Sequence, residues 1–172
     1  MEIVYQLLAI TTIHMRTIIA SVITLFLLNG LSAQNQEIAE IRKLYYETQQ
    51  NKESYTQLSQ DDFEHSSEGG ELSAYRDQKE IRLIETVYYG HMGKSERAYY
   101  FTKGQLYFVF VKNYEYNAPP TQPEYDDLKT EHQEWRYYFW NNEMIRCISP
   151  EGMFLQADSE EFTQQKQAIS EL

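Results

Sequence analysis

Two periodicities organise the chain beyond residue 33. Ile38, Ile41, Leu44 and Tyr45 recur at helical spacing among polar neighbours. One apolar stripe results, which predicts an amphipathic helix over Gln36–Gln50. From Glu71 onward the apolar residues are mostly β-branched or aromatic and come in short runs: Leu72–Tyr75, Ile81–Tyr89, Arg97–Thr102, Gln105–Tyr116, Glu134–Trp140 and Met144–Ser149. Such residues suit a pleated, half-buried surface, and the runs predict about six strands.

The connections between these runs are short and carry turn residues: Asp77-Gln78-Lys79, Gly90-His91-Met92-Gly93, Lys103-Gly104 and Asn141-Asn142. Turns this tight join antiparallel neighbours. The segment Tyr99-Tyr100-Phe101-Thr102-Lys103-Gly104 is echoed by Tyr137-Tyr138-Phe139-Trp140-Asn141-Asn142, aromatic residues before a tight turn in both. Asn117–Pro123 contains Pro119, Pro120 and Pro123, which have no N–H to give a ladder, so it loops out. Glu124–Gln133 is polar enough for a short helical turn or an extended arm. Asp158 with Glu161 resembles a capping box, and Phe162, Gln165 and Ile169 trace the stripe of a terminal helix. Between the first helix and the strands, Asn51–Gly70 is polar, with Phe63 its one strong apolar anchor, and reads as a long mobile connection. The expected fold is α+β: an antiparallel β-meander of about six strands, with the N-terminal helix and the short C-terminal helix packed on one face.

The run Gln105–Val111 is apolar at both parities. Strict alternation sends Leu106, Phe108 and Phe110 to one side and Tyr107, Val109 and Val111 to the other. That marks a central strand. With both helices on one face, the other is free for solvent or a partner, and Tyr88, Tyr100, Tyr107 and Tyr138 are the candidates for such a binding face, because tyrosine tolerates half-wet positions. Ordinary cross-strand aromatic pairs are the alternative reading of the same residues.

Residues 1–33 follow a different logic. Met15-Arg16 is a short basic start, Ile18–Leu28 an apolar core interrupted only by Ser21 and Thr24, and Leu31-Ser32-Ala33 a small-residue exit. These are the parts of a secretory signal peptide, and the core is shorter than the roughly 20 residues of a membrane-spanning helix. Cleavage after Ala33 is expected, with Met15 a possible natural start, leaving residues 34–172 as one domain with no membrane anchor. Gln34 follows the junction, so no lipidated N-terminal cysteine is expected.

The formal charge of −11 repels phosphate backbones and anionic lipid, and no Lys/Arg cluster offsets it, which speaks against nucleic-acid and membrane-surface binding. Cys147 is the single cysteine, so no internal disulfide can form, and its place in Met144-Ile145-Arg146-Cys147-Ile148 reads as a buried strand position. His91 is flanked by Gly90 and Gly93 in a turn, and His132 lies beside Glu131 and Glu134. Either could serve as an acid or base only with a carboxylate brought near by the fold. Asp61, Asp62, Glu64, His65 and Glu68 crowd one stretch without the spacing of an EF-hand and read as a solvated acidic loop. No nucleophile elbow, phosphate-cradling glycine loop, HExxH, CxxC or dinucleotide fingerprint occurs, so no cofactor and no resident metal are expected.

The exported start, the Glu37-Ile38 helix, the Glu71 strand, Tyr99-Tyr100-Phe101 followed by Gly104–Phe110, and the second Tyr137-Tyr138-Phe139 hairpin together resemble a group of uncharacterised secreted and periplasmic proteins common in Bacteroidetes-type bacteria. The resemblance covers most of residues 34–172 and rests on hairpin motifs. It implies a periplasmic or secreted location and an antiparallel fold, and it carries over no catalytic residue. The expectation is a non-enzymatic binding or interaction protein that offers an aromatic sheet face to a protein or a small apolar ligand, with a homodimer as a variant. A small hydrolase or isomerase using His91 or His132 is the alternative.

Overall fold

A seven-stranded sheet forms the body of the protein, one strand more than the apolar runs predict. The computed structural model describes residues 34–62, 66 and 68–170. The expected signal peptide and Phe63, Glu64 and His65 of the acidic loop lie outside them. The chain divides between Ala39 and Glu40 into two compact units; residues 34–39 are the described part of the first and are helical, and everything below belongs to the second.

The first helix, α1, covers 34–51 and runs into a 3-10 turn, Lys52–Ser54. The strands are β1 (Thr56–Asp61), β2 (Gly70–Arg76), β3 (Ile81–Gly90), β4 (Gly93–Thr102), β5 (Gln105–Glu115), β6 (Glu131–Trp140) and β7 (Glu143–Ile148), followed by the helix α2 (Glu160–Ser170). They lie in the sheet in chain order, every neighbouring pair antiparallel. The extra strand is β1, in the stretch expected to be a mobile connection. All six of its residues are exposed, so Thr-Gln-Leu-Ser-Gln-Asp needs no apolar alternation and gives none. Backbone pairing with β2, from Thr56 opposite Arg76 to Asp61 opposite Glu71, is what makes it a strand.

The turns explain the register. Lys103 and Gly104 have φ of 52° and 72°, and Asn141 and Asn142 have φ of 50° and 65°, the paired left-handed conformations of a type I′ hairpin. Gly93 is required for another reason: a Cβ there would lie 2.0 Å from the Tyr114 carbonyl oxygen. Between Asn117 and Glu131 the chain loops out as the prolines demand, with a 3-10 turn at Asp127–Lys129 capped by the Asp126 carboxylate. Ser159 caps α2 by accepting from the Phe162 N–H at 3.1 Å, one residue beyond the acidic position expected to do so.

The two helices pack on opposite faces, and here the expected arrangement is corrected. On the first face, Tyr45 of α1 lies with its ring centroid 5.1 Å from Tyr100 and 5.4 Å from Phe108. Thr48 and Gln49 reach the Tyr107 and Tyr100 hydroxyls. On the second face, Phe162 and Ile169 of α2 bury against Val109, Val111, Tyr137, Phe139, Met144 and Cys147. Successive strand residues point to opposite faces, so Phe108 under α1 and Val109 under α2 show directly why β5 is apolar at both parities. Full burial of side chains such as Ile41, Leu83 and Val109 contributes about 1.5–3 kcal/mol each.

Candidate functional site

Three of the four tyrosines expected on an open face are inside the molecule. Tyr100, Tyr107 and Tyr138 are 3%, 3% and 6% exposed. The cause is α1, which covers the face they share. Tyr107 arrives there through a β-bulge: Tyr100 pairs with Phe108 and Phe101 with Leu106, which leaves Tyr107 unpaired and turns it to the same side as Phe108. Burial removes hydration from the phenolate forms, so the Tyr107 hydroxyl is pushed up to about 12 and the Tyr100 hydroxyl is raised as well. Tyr88, half-buried, is on the other face.

That second face is only half covered. Helix α2 lies over β5, β6 and β7, while β2, β3 and β4 carry no helix on this side among the described residues. The uncovered part is a groove of about 630 Å³, floored by Leu72 of β2, Ile84, Thr86 and Tyr88 of β3, Arg97, Tyr99 and Phe101 of β4, and Leu106 of β5. Ile169 of α2 and Asp62, just after β1, line it as well. A second cleft, about 230 Å³, lies on the first face between Arg42, Tyr45 and Tyr46 of α1 and Phe110 and Arg136 of the sheet. The larger groove falls in the size range of small-molecule sites, and its lining has the expected character, apolar with few polar groups.

Its polar groups are unusual. Thr86 is 5% exposed, and its hydroxyl is shielded from water with no hydrogen-bond partner among the described residues. Arg97 sits directly opposite it in the β3–β4 pairing. The guanidinium carbon lies 5.4 Å from the Tyr88 ring centroid, and Nε approaches the Ser95 hydroxyl at 3.4 Å. No carboxylate comes within ion-pair distance of Arg97 among the described residues. Four other half-buried cations do have one: Lys52 with Glu85 at 2.7 Å, Arg82 with Glu80 at 2.6 Å, Lys94 with Glu96 at 2.6 Å and Arg136 with Glu134 at 2.6 Å. Burial raises the pKa of the adjacent Tyr99 hydroxyl, and the Arg97 charge opposes that rise. Tyr88 donates to the Asp62 carboxylate at 3.4 Å.

The histidines lie elsewhere. His91 is at the β3–β4 hairpin tip, its side chain 68% exposed and Nδ1 3.5 Å from Glu68 Oε1. His132 is half-exposed on β6, with Nε2 3.8 Å from Glu134 Oε1 and its ring 6.0 Å from that of Tyr114. Each has a carboxylate near, but both pairs are open to solvent, and neither histidine lines either cleft. Among the described residues no three His, Cys, Asp or Glu side chains gather closely enough to hold a metal ion. Cys147 is buried beneath α2, which pushes its thiol up to about 12.

Thr86, Arg97 and Tyr99 are absent from the sequence-derived candidates, yet part of their arrangement is legible. A two-residue turn at His91-Met92 pairs Gly90 with Gly93, and counting back along both strands sets Thr86 against Arg97. What the sequence conceals is which half of which face α2 leaves open. No family model matches the chain, and no curated protein or solved structure matches it.

Proposed function

We propose that this chain is a non-enzymatic binding protein of the bacterial cell envelope, which takes a small apolar ligand in the groove over β2, β3 and β4. One observation carries the reading: among the described residues, a sheet with helices on both faces leaves an aromatic and aliphatic half-face uncovered, with Tyr88, Tyr99, Ile84, Leu72 and Phe101 around a 630 Å³ opening. Of the tyrosines expected on a binding face, the proposed groove includes Tyr88 and not Tyr100, Tyr107 or Tyr138, which lie under α1, and it adds Tyr99.

The test is a titration with an uncharged, environment-sensitive dye. Dye emission should rise on binding, and Tyr88→Ala with Tyr99→Ala should remove that rise while the melting transition stays cooperative. A dye response unaltered by the paired substitution would refute the groove. Light scattering over a concentration series tests the homodimer variant, in which the same half-face meets a second copy; a constant monomer mass counts against it.

Export belongs to the same proposal and rests on Arg16, the Ile18–Leu28 core and the Leu31-Ser32-Ala33 exit. Among the described residues no helix is long and apolar enough to cross a membrane. An envelope fraction containing a chain that begins at Gln34 would support export. A cytosolic chain that keeps residue 33 would refute it.

A further inference from the structure

The groove has a polar end as well as an apolar body. We infer that Arg97 and Thr86 form a two-point anchor for one carboxylate, so that the ligand is a small amphiphile with a single anionic head on an apolar body. The inference rests on the proposed binding role of the groove and names what binds there.

Three observations converge. Arg97 is half-buried, lines the groove and, among the described residues, lacks the carboxylate that Lys52, Arg82, Lys94 and Arg136 each hold. A partly desolvated charge with no counter-ion among the described residues favours an anion that can reach it. The Thr86 side chain lines the same floor, and its hydroxyl, hidden from water and without a partner among the described residues, is a donor in need of an acceptor. These two residues face each other across β3 and β4. Side chains so paired stand roughly 5 Å apart at Cβ, a gap that one carboxylate can bridge.

Charge sets the number of negative groups. Among the described residues the groove offers one cation, Asp62 at its margin repels further negative charge, and the chain as a whole carries −11. A monoanion is neutralised there, whereas a dianion such as a phosphate monoester would keep an uncompensated charge. The planar guanidinium fork also matches the planar carboxylate. Beyond the anchor the floor is apolar, from Ile84 and Leu72 to Phe101 and Leu106. That suits an alkyl or aryl body.

Calorimetric titration of the purified protein with dodecanoate, dodecanol and dodecylamine, each below its micellar concentration, tests the inference. Dodecanoate should bind about tenfold or more tightly than dodecanol, with dodecylamine weakest, since a charged hydrogen bond is at stake. Arg97→Gln should abolish the preference, bringing dodecanoate to the level of dodecanol measured on the same variant. Arg97→Lys should restore part of the preference. Thr86→Val, equal in shape, should narrow the preference for dodecanoate over dodecanol severalfold. Equal binding of dodecanoate and dodecanol to the unsubstituted protein would overturn the anchor while leaving the apolar groove standing. So would a preference that survives Arg97→Gln, and a preference unmoved by Thr86→Val would remove the threonine from it. Failure of all three amphiphiles to bind would overturn the groove itself.

Discussion

The Thr48 and Tyr107 hydroxyls lie 3.0 Å apart beneath α1, on two residues almost entirely withdrawn from water. This hydrogen bond ties α1 to the bulge in β5 and satisfies two polar groups that the apolar first face would otherwise strand. Tyr107→Phe and Thr48→Val should each cost about 1–2 kcal/mol, because each leaves the other hydroxyl buried and alone. The double substitution should cost less than their sum. A denaturant-melt double-mutant cycle measures the coupling, and strict additivity would mean that the two hydroxyls do not support each other.

Alkali should unfold the protein through its buried tyrosines. Burial raises the hydroxyls of Tyr100, Tyr107 and Tyr137 above their ordinary value of 10.0, that of Tyr107 to about 12. Between pH 10 and 12 the unfolded chain has lost the Tyr107 proton and the folded chain still holds it. Stability is therefore fully present below pH 10 and falls as pH climbs through that window. Melts at rising pH should show a steep decline beginning near 10, with the tyrosinate absorbance of these residues appearing only as the fold is lost. Tyr107→Phe should make the decline shallower.

Glu80 links two hairpins. Its carboxylate accepts from the Lys103 and Gly104 N–H groups at 2.9 Å and 3.1 Å and from the Arg82 guanidinium at 2.6 Å, so the β2–β3 turn holds the β4–β5 turn. The Lys103 amide, above all, keeps the Glu80 carboxyl below the usual carboxylate value of 4.5, and the Arg82 charge adds to this. The stabilisation is present above pH 4.5 and is lost as pH falls through the lower, folded value. Glu80→Gln should cost about 1 kcal/mol at neutral pH, a modest figure because water reaches the carboxylate. It should also flatten this part of the acid dependence, as chemical melts at pH 7 and pH 3 would show.

Cys147 should report the detachment of α2. Buried beneath that helix and with its thiol held protonated, it should resist alkylating reagents at neutral pH and react only when the fold opens. Labelling rates across a denaturant series should track global unfolding. Rapid labelling under native conditions would mean that α2 lifts from the sheet on its own.

How far the sequence was legible depended on whether a segment buries a periodic face. Helix α1 and strands β3 to β7 do, and the runs from Ile81 to Met144 announced them. Strand β1 buries none of its six residues, so nothing in Thr-Gln-Leu-Ser-Gln-Asp could mark it. The side of the sheet on which a residue lies was harder to read. Alternation separates Tyr107 from Phe108, but the bulge puts both under α1, and it has no signature beyond the aromatic run itself. The binding half-face depends on where α2 comes to rest, and the pattern of α2 alone specifies what it buries rather than against which strands. The apolar character of β5 at both parities was the clue to helices on both faces.

The strictly sequential strand order has a kinetic consequence. Each of the six pairings joins strands that follow one another in the chain, so the chain entropy spent in closing a loop is recovered at once by the ladder it permits. The type I′ turns at Lys103-Gly104 and Asn141-Asn142 favour early β4–β5 and β6–β7 hairpins, which form on a scale of about 1–10 μs in isolation. Growth from these nuclei places Tyr100, Phe108 and Val109 in register before either helix is docked. Such a chain should fold faster than sandwiches whose partner strands come from distant parts of the sequence, and β1, with no buried side chain to hold it, should be the last strand to join and the first to leave.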